Sequence, residues 1–342
     1  MSDPVAIARD LAEDVLFPNA SATDRSDLVS LDNLDALADA GLYGLFGPRE
    51  LGGFAADLVT AGAVVERIAS RCLTTALVWL QHHGLVGNLM LRGGPLRDAW
   101  LGDLCSGRRR SGIVFAGLLP GPATLHAVQV DGGWRIDGTA PWVSGWGRID
   151  TLQVAARGHD GPLEHGGSPT GFNQETVVTA AIGELDVPGL TASRHELAVL
   201  DASGTVRLTF DGVTVDDSQL QHVVPHEPGA TNALSLRLNG SLALGVAGRC
   251  ISLIGATART AELEAQLDET RSMLDGADDS AIAAARAAAS AFAHKAAATL
   301  LVHTGSRSME LDNHAQRLAR EAMFLMVFGS RPAIRTSLLS LL

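Results

Sequence analysis

The chain has 342 residues, with 38 acidic and 26 basic side chains and a formal net charge of -12. This acidic balance argues against nucleic acid as the main partner, because binding to a phosphate backbone favours a basic surface. The length suffices for two or three hydrophobic cores, and with only 4% aromatic residues these must be filled mainly by Ala, Leu and Val.

Signals for secretion, membrane insertion and metal binding are not evident. The acidic N-terminus lacks a basic segment followed by an apolar one, and no apolar run approaches the ~20 residues of a membrane span. Cys72, Cys105 and Cys250 are odd in number, widely spaced and set in apolar surroundings. They predict reduced, buried thiols rather than disulfides or a metal site. We expect a soluble, cytoplasmic protein without a membrane span.

The first third of the chain has the periodicity of helices. After a first amphipathic pattern, VAIARDLAEDVLF, a second begins at the N-cap candidate Ser30 and ends near Gly41 or Gly44. A third covers residues 56–70. A fourth, residues 74–91, is apolar nearly all round and should lie at the centre of its domain.

The middle of the chain is rich in β-forming residues. Seven short runs alternate with Gly, Pro and Asp and predict a small barrel or sandwich: GIVFAG, TLHAVQV, GWRIDG, TLQVAAR, ETVVTAAI, HELAVL and GTVRLTFDGVTV. The segment HDGPLEHGGSPTGFN has the composition of an exposed, mobile loop.

One predicted hairpin carries a candidate binding surface. Its returning strand continues to Trp142 and Ser144, and strand residues two apart lie on the same face. An indole beside a hydroxyl suits an extended aromatic ring with polar edge atoms. The simpler interpretation is a buried Trp and a turn Ser.

From about Asn232 the helical periodicity returns, and small residues on the facing stripes favour close packing in a four-helix bundle rather than a coiled coil. The first helix is predicted as one long pattern. Ser280 or Asp279 is expected to cap the second and Asn313 the third. The sequence therefore predicts an α+β protein with an N-terminal helical domain (residues 1–108), a β-domain (109–225) and a C-terminal bundle (226–342).

Several stretches resemble the acyl-CoA dehydrogenase family, in which the same three parts follow in the same order. These are AGLYGLFGPRELGG, GWRIDGTAPWVSGWGRID, LTFDGVTV and HAQRLAREA, and the third of them is similar to the strand pair that closes the family's β-domain. The resemblance spans essentially the whole chain and therefore implies the family's fold.

The resemblance also implies a cofactor and partners. FAD would lie where the β-domain meets the bundle, with Trp142 and Ser144 beside its ring. Phe115, Ala116 and Gly117 would offer backbone groups to its polar edge, which would tune the ring while the cofactor supplies the hydride chemistry. An acyl-CoA thioester, a homo- or hetero-oligomer and an electron-transfer partner are expected on the same basis.

Departures from the family's pattern concern the catalytic base and two cofactor contacts. Gly117 and Leu118 replace the usual Thr-Glu after the first strand, and an Arg-x-x-Phe-Gly turn in the bundle is not evident. Aligning Gly329 with the glycine of the family's Tyr-Glu-Gly-Thr run puts Phe328 where the basic Glu would be. The alternative location of the base, residues 232–240, contains no acid.

Other titratable residues have simpler explanations. An acid/base pair could form between one of three acids and one of two nearby histidines: Glu310, Asp312 and Glu321, with His303 and His314. Glu321 has helical spacing from Arg317 and is better explained by ion pairing. Asp312 and Asn313 have the pattern of a cap. His82 and His83 on the apolar helix are more typical of core or interface histidines.

Three functions remain open from the sequence. The first is an FAD-dependent oxidation of an acyl-CoA thioester at its α,β-bond, in which another chain supplies the base. The second is a flavin-dependent monooxygenase of the same fold, which needs no carboxylate base. The third is a scaffold subunit that binds a partner or acyl-CoA without flavin.

Overall fold

The computed structural model describes residues 3–159, 176–227, 233–329 and 331–342. All but the first residue of the loop predicted at 159–173 lies outside this part of the chain. Within it, helices come first, strands follow and helices return, which confirms the predicted α+β order. The last N-terminal helix ends at Cys105, the first strand begins at Ser111 and the first C-terminal helix begins at Ala233.

The N-terminal helices pack around one apolar helix. Ser30 caps its helix by accepting a hydrogen bond from the Asp32 amide, as predicted. The 20-residue helix α5 buries most of its length, including Trp79, and this confirms its central position. The helices are α1 (Pro4–Leu11), a π-helical turn (Ala12–Leu16), α2 (Phe17–Asp24), α3 (Leu31–Asp39), α4 (Leu58–Ala69), α5 (Leu73–Arg92) and α6 (Pro95–Cys105).

Helix α6 was missing from the prediction. Gly93 and Gly94 both have positive φ angles, of 70° and 90°, and break the chain after α5. Pro95 then begins the new helix, a position where its fixed φ is favourable and its missing N–H costs nothing. Only Leu101, Leu104 and Cys105 of this helix are buried, so its apolar periodicity is weak in the sequence.

The middle of the chain forms one mixed sheet of eight strands in the described residues. The order is β6-β7-β3-β2-β4-β5-β8, and β1 pairs in parallel with β4. The predicted hairpin is β2 paired antiparallel with β3. The strands are β1 (Ser111–Val114), β2 (Leu125–Val130), β3 (Gly133–Val143), β4 (Thr151–His159), β5 (Thr176–Ile182), β6 (Leu190–Arg194), β7 (Val206–Asp216) and β8 (Leu220–Pro225).

Two strand predictions were wrong. The run HELAVL follows strand β6 instead of forming a strand, and within it Leu200 adopts a left-handed conformation with φ 56°. The segment LTFDGVTV is part of the single 11-residue strand β7 rather than a strand pair. Its Asp-Gly has the signature of a hairpin turn, but Gly212 (φ 69°) lies where the β3–β7 register shifts and therefore belongs to a bulge.

The C-terminal bundle contains five described helices rather than four. The predicted long first helix is interrupted at Gly255, whose φ of 81° suits glycine, and a new helix begins after the N-cap Thr257. Helix α9 contacts α7, α8, α10 and α11 and is the centre of the bundle. The helices are α7 (Ala233–Ile254), α8 (Ala258–Gly276), α9 (Ile282–Thr304), α10 (His314–Val327) and α11 (Pro332–Leu341).

Helix caps and cysteines complete the comparison with the predicted fold. Asn313 caps α10, as expected. The prediction for α9 was wrong, since Asp278, and not Ser280 or Asp279, accepts hydrogen bonds from the amides before this helix. All three cysteines are buried and unpaired, as predicted. Among the described helices, none combines the length and apolar character needed to cross a membrane.

Candidate flavin site at the end of strand β3

The exposed indole of Trp142 is the most unusual feature of the β-domain. Trp142 is 65% exposed, which excludes the buried-Trp interpretation, while its neighbour Val143 is fully buried. The preceding residue, Pro141, has no N–H to donate, and the β3–β7 register shifts between Ala140 and Val143. The pairing of β3 with β7 is therefore irregular at Trp142, where the indole extends into solvent.

His195 supports one face of this indole. The two rings are stacked, with centroids 4.5 Å apart and an interplanar angle of 23°. His195 Nε2 donates a hydrogen bond of 2.6 Å to the Pro141 carbonyl, and the His195 amide donates to the Thr205 carbonyl at 3.1 Å. The imidazole therefore holds Trp142 as a platform with most of its remaining surface open. His195 was not among the predicted site residues because it lies in the run mistaken for a strand.

Next to this platform lies a chain of hydroxyl groups. Ser144 Oγ is 2.8 Å from Thr205 Oγ1, which is 2.7 Å from Ser203 Oγ. Ser203 and Thr205 are buried and Ser144 is half-buried. The structure thus brings the predicted residues Trp142 and Ser144 together at one strand end. Thr205 and Ser203 had no signal in the sequence beyond their place before strand β7.

The predicted residues Phe115, Ala116 and Gly117 lie in a tight turn after β1. A 3₁₀ helix covers Ala116–Leu118, and a Cβ added to Gly117 would come within 2.6 Å of the Ala155 carbonyl oxygen. The buried Arg157 donates from Nε to the Gly117 carbonyl at 3.2 Å. The Gly117 carbonyl therefore already accepts a hydrogen bond from within the β-domain.

The end of helix α10 carries the residue expected in place of a catalytic Glu. Phe328 stacks on Phe324 with centroids 5.1 Å apart, and its carbonyl accepts from the buried Arg286 at 3.3 Å. A Cβ added to Gly329 would lie 3.2 Å from Asn239 Nδ2, so the two alternative locations of the family's base are adjacent. Neither Phe328 nor the described residues 233–240 supplies a carboxylate there.

The acids that pack against α7 already have cationic partners. Asp275 binds Arg237 at 2.5 Å, and Glu66 binds Arg271 at 2.9 Å. Burial raises the pKa of Glu66 above its ordinary value, and the neighbouring Arg271 offsets only part of this increase. These contacts support a structural role for both acids. Glu321 is likewise paired with Arg317, as predicted, but the pair is buried and not on a solvated face.

His82 and His83 lie in the core, as the simpler interpretation predicted. His82 Nδ1 accepts a hydrogen bond from the Ser111 amide at 3.2 Å, so the ring is neutral with its proton on Nε2. His83 packs edge-on against Trp79 at 4.6 Å, and neither of its ring nitrogens has a hydrogen-bond partner among the described residues. Burial lowers the pKa of His83 well below its ordinary value.

We expect His83→Met to make the protein more resistant to acid. A histidine whose folded pKa is depressed stabilises the fold above its unfolded pKa of about 6.5, and this stability is lost as the pH falls towards the folded value. Methionine fills similar space without an unsatisfied polar atom. Urea unfolding between pH 7 and pH 4 should show a smaller loss of stability for His83→Met than for the wild type. An equal loss would contradict the assignment.

Two shallow clefts lie elsewhere, each of about 480 Å³. Both are lined by Arg108 and Asp150, and Asp35 or Asp186 adds further negative charge. Arg108 is itself paired with Asp103 at 2.6 Å. Neither cleft includes Trp142 or Ser144. Because Trp142 is 65% exposed, the platform is an open surface that a ligand or a second chain would have to cover.

Comparison with known proteins supports the resemblance seen in the sequence. The family model described as "Acyl-CoA dehydrogenase, N-terminal domain" matches residues 5–108. The 3-sulfinopropanoyl-CoA desulfinase of Variovorax paradoxus is 26% identical over 377 aligned positions, covering 98% of this chain and 92% of that protein. These matches support the acyl-CoA dehydrogenase family for this chain.

Several acyl-CoA dehydrogenases match over a smaller region. The mitochondrial short-chain specific acyl-CoA dehydrogenase of Mus musculus is 22% identical over 257 residues, which is 73% of this chain and 58% of that protein. The match therefore spans a little over half the length of this relative.

Solved structures show that the fold is the acyl-CoA dehydrogenase fold. The butyryl-CoA dehydrogenase of Megasphaera elsdenii has a TM-score of 0.79 at 17% identity and covers 98% of this chain and 95% of its own. The dibenzothiophene monooxygenase of Paenibacillus sp. A11-2 has a TM-score of 0.78 at 18% identity and covers 99% and 95%. The same fold therefore occurs in a dehydrogenase and in a monooxygenase.

Proposed function

We propose that this chain is a flavoprotein subunit that binds FAD at the Trp142 platform and takes part in the α,β-oxidation of an acyl-CoA thioester. The observation that carries the proposal is the exposed indole of Trp142 beside the Ser144 hydroxyl. Related proteins whose names specify acyl-CoA substrates support the substrate class. A glutaryl-CoA dehydrogenase of the same fold, solved with FADH2, supports the cofactor.

The chemistry of the platform fits a flavin. An isoalloxazine has a large apolar face and a polar edge of ring nitrogens and carbonyl oxygens. Trp142, held from behind by His195, offers a flat surface for the face, and Ser144 offers a hydroxyl for the edge. When bound, FAD would supply the hydride acceptor, and the side chains of this subunit would orient it and tune its electronics.

The missing carboxylate determines what the chain can do alone. Removal of a proton α to a thioester needs a base held over the reacting carbon, and a phenylalanine at position 328 cannot accept a proton. The acids Glu66 and Asp275 that pack against α7 are held by arginines. We therefore propose an oligomer in which another chain of the family supplies the base and this chain contributes the flavin platform.

A second candidate function is a flavin-dependent monooxygenase. It is favoured by Phe328 in place of the base, because the reaction of a reduced flavin with oxygen requires no carboxylate at that point. The likeness in fold to a dibenzothiophene monooxygenase is compatible with it. Oxygen consumption with a reduced flavin and an aromatic substrate, without oxidation of acyl-CoA, would favour this candidate over the first.

Titration with FAD tests the proposal, with the chain alone and co-expressed with a family member encoded beside it. We expect a protein-bound flavin absorption band and quenching of Trp fluorescence. A protein that stays colourless in both preparations would contradict a flavin role and favour a scaffold subunit.

Substituting Phe328→Glu then tests the placement of the substrate. The new carboxylate would lie at the end of α10, where the resemblance puts the family's base, so acyl-CoA oxidation should appear or increase in the flavin-loaded protein. Phe328→Gln is the matched control, since it has a similar shape but cannot take up the proton. Equal activity of the two variants would contradict a base position at residue 328.

A further inference from the structure

The chain of three hydroxyl groups at the platform has a direction. Each hydroxyl has one proton to donate, so the protons run either from Ser203 through Thr205 to Ser144 or the opposite way. Both oxygen–oxygen distances, 2.7 and 2.8 Å, are those of good hydrogen bonds. The direction decides whether Ser144 presents a proton or a lone pair to a ligand.

Burial of Ser203 favours one direction. Ser203 is only 1% exposed, and among the described residues Thr205 is the hydrogen-bond partner of its hydroxyl. If Ser203 accepted the proton of Thr205, its own proton would be buried without an acceptor, which is unfavourable. Ser203 therefore donates to Thr205, and Thr205 donates to Ser144.

We infer that Thr205 is a positioning residue, which fixes Ser144 as an outward-directed hydrogen-bond donor beside Trp142. Because Ser144 accepts the proton of Thr205, its own proton is free for a group on its half-exposed side. This inference rests on the proposed function, since an oxidised flavin presents acceptor nitrogens and oxygens at its edge. Thr205 would act through Ser144 and would not itself touch the cofactor.

The backbone around these residues is held independently of the hydroxyls. The Gly145 amide donates to the Ser203 carbonyl at 2.8 Å, and the Trp146 amide donates to the Gly204 carbonyl at 3.2 Å. Val143 and Val206 are paired across β3 and β7. Thr205→Val, which is close in shape, would therefore remove the hydroxyl while leaving the segment in place.

FAD titration of the preparation that binds flavin tests the inference. We expect Thr205→Val to weaken FAD binding about five-fold, the effect of one neutral hydrogen bond, and to shift the flavin absorption band as Ser144→Ala does. The double variant should bind no more weakly than Ser144→Ala alone, because Thr205 acts only by orienting the Ser144 hydroxyl, which that variant already lacks. Thr205→Ser keeps the hydroxyl and should restore both the affinity and the spectrum.

Each other outcome has a separate meaning. Wild-type affinity in Thr205→Val, together with weakened binding in Ser144→Ala, would overturn the positioning role and leave the proposed function intact. A lowered unfolding midpoint in Thr205→Val, with no recovery of binding in Thr205→Ser, would overturn it in favour of a structural role. A wild-type protein that binds no FAD would overturn the proposed function and this inference together.

Discussion

Replacing Arg317 with Met should destabilise the protein by about 3–5 kcal/mol at pH 7. Arg317 and Glu321 form an ion pair in which both side chains are buried, at 2% and 3% exposure. Removing the guanidinium would leave a buried carboxylate without a cation, and such a carboxylate is stable only when it takes up a proton. The free energy of unfolding from urea titrations measures the change.

The pH dependence of the Arg317→Met variant gives a second measurement. Burial raises the pKa of Glu321 to about 6 even with Arg317 present. Because Arg317 lowers this pKa, removing Arg317 should raise the pKa of Glu321 further. A raised folded pKa favours the fold below the unfolded value of about 4.5, and that advantage is lost as the pH rises through the folded value. The destabilisation should therefore be greater at pH 8 than at pH 5.

Two further variants distinguish burial of the charge from loss of contacts. Arg317→Met combined with Glu321→Leu removes both charges at similar volume and should recover most of the lost stability. Arg307→Met is the matched control, because Arg307 pairs with Glu310 at 3.8 Å on the surface, and its loss should cost less than about 0.5 kcal/mol. Equal effects of Arg317→Met and Arg307→Met would refute the explanation.

The sequence predicted the fold well where local signals and packing agree. Residues 73–92 are apolar all round and lie at the centre of their domain, and Ser30 and Asn313 cap helices where the polar residue precedes an apolar stripe. The sequence-based predictions were wrong where a single glycine with a positive φ angle changed the course of the backbone. Gly255 interrupts a continuous helical pattern, and Gly212 forms a bulge inside a single strand where the family resemblance implied a strand pair.

The candidate site could be predicted only in part, because its contacts are long-range. Trp142 and Ser144 are only two residues apart, so the sequence alone put them near each other at the end of the strand. Their partners His195 and Thr205 lie 53 and 61 residues later and reach them through the pairing of β3 with β7 and the turn before it. No local pattern encodes such a contact, and the run around His195 has the composition of a strand.

Trp142→Ala should weaken flavin binding ~5–30-fold while leaving the fold unchanged, because the indole offers a stacking surface worth about 1–2 kcal/mol to an aromatic ligand. Most aromatic residues cannot be removed without loss of stability, since Phe or Trp to Ala in a core costs about 3–5 kcal/mol. Trp142 differs because 65% of it is exposed and its indole stacks on the His195 imidazole.

Two comparisons make the Trp142 experiment specific. Trp142→Phe keeps an aromatic face and should retain most of the affinity, whereas the buried Trp79 has no place in the site, so Trp79→Phe should affect stability alone. His195→Ala removes the support behind the indole, so it should weaken binding less than Trp142→Ala does. Unaltered FAD affinity in Trp142→Ala would contradict flavin binding at this strand end, because the exposed indole is the surface on which the flavin ring is proposed to stack.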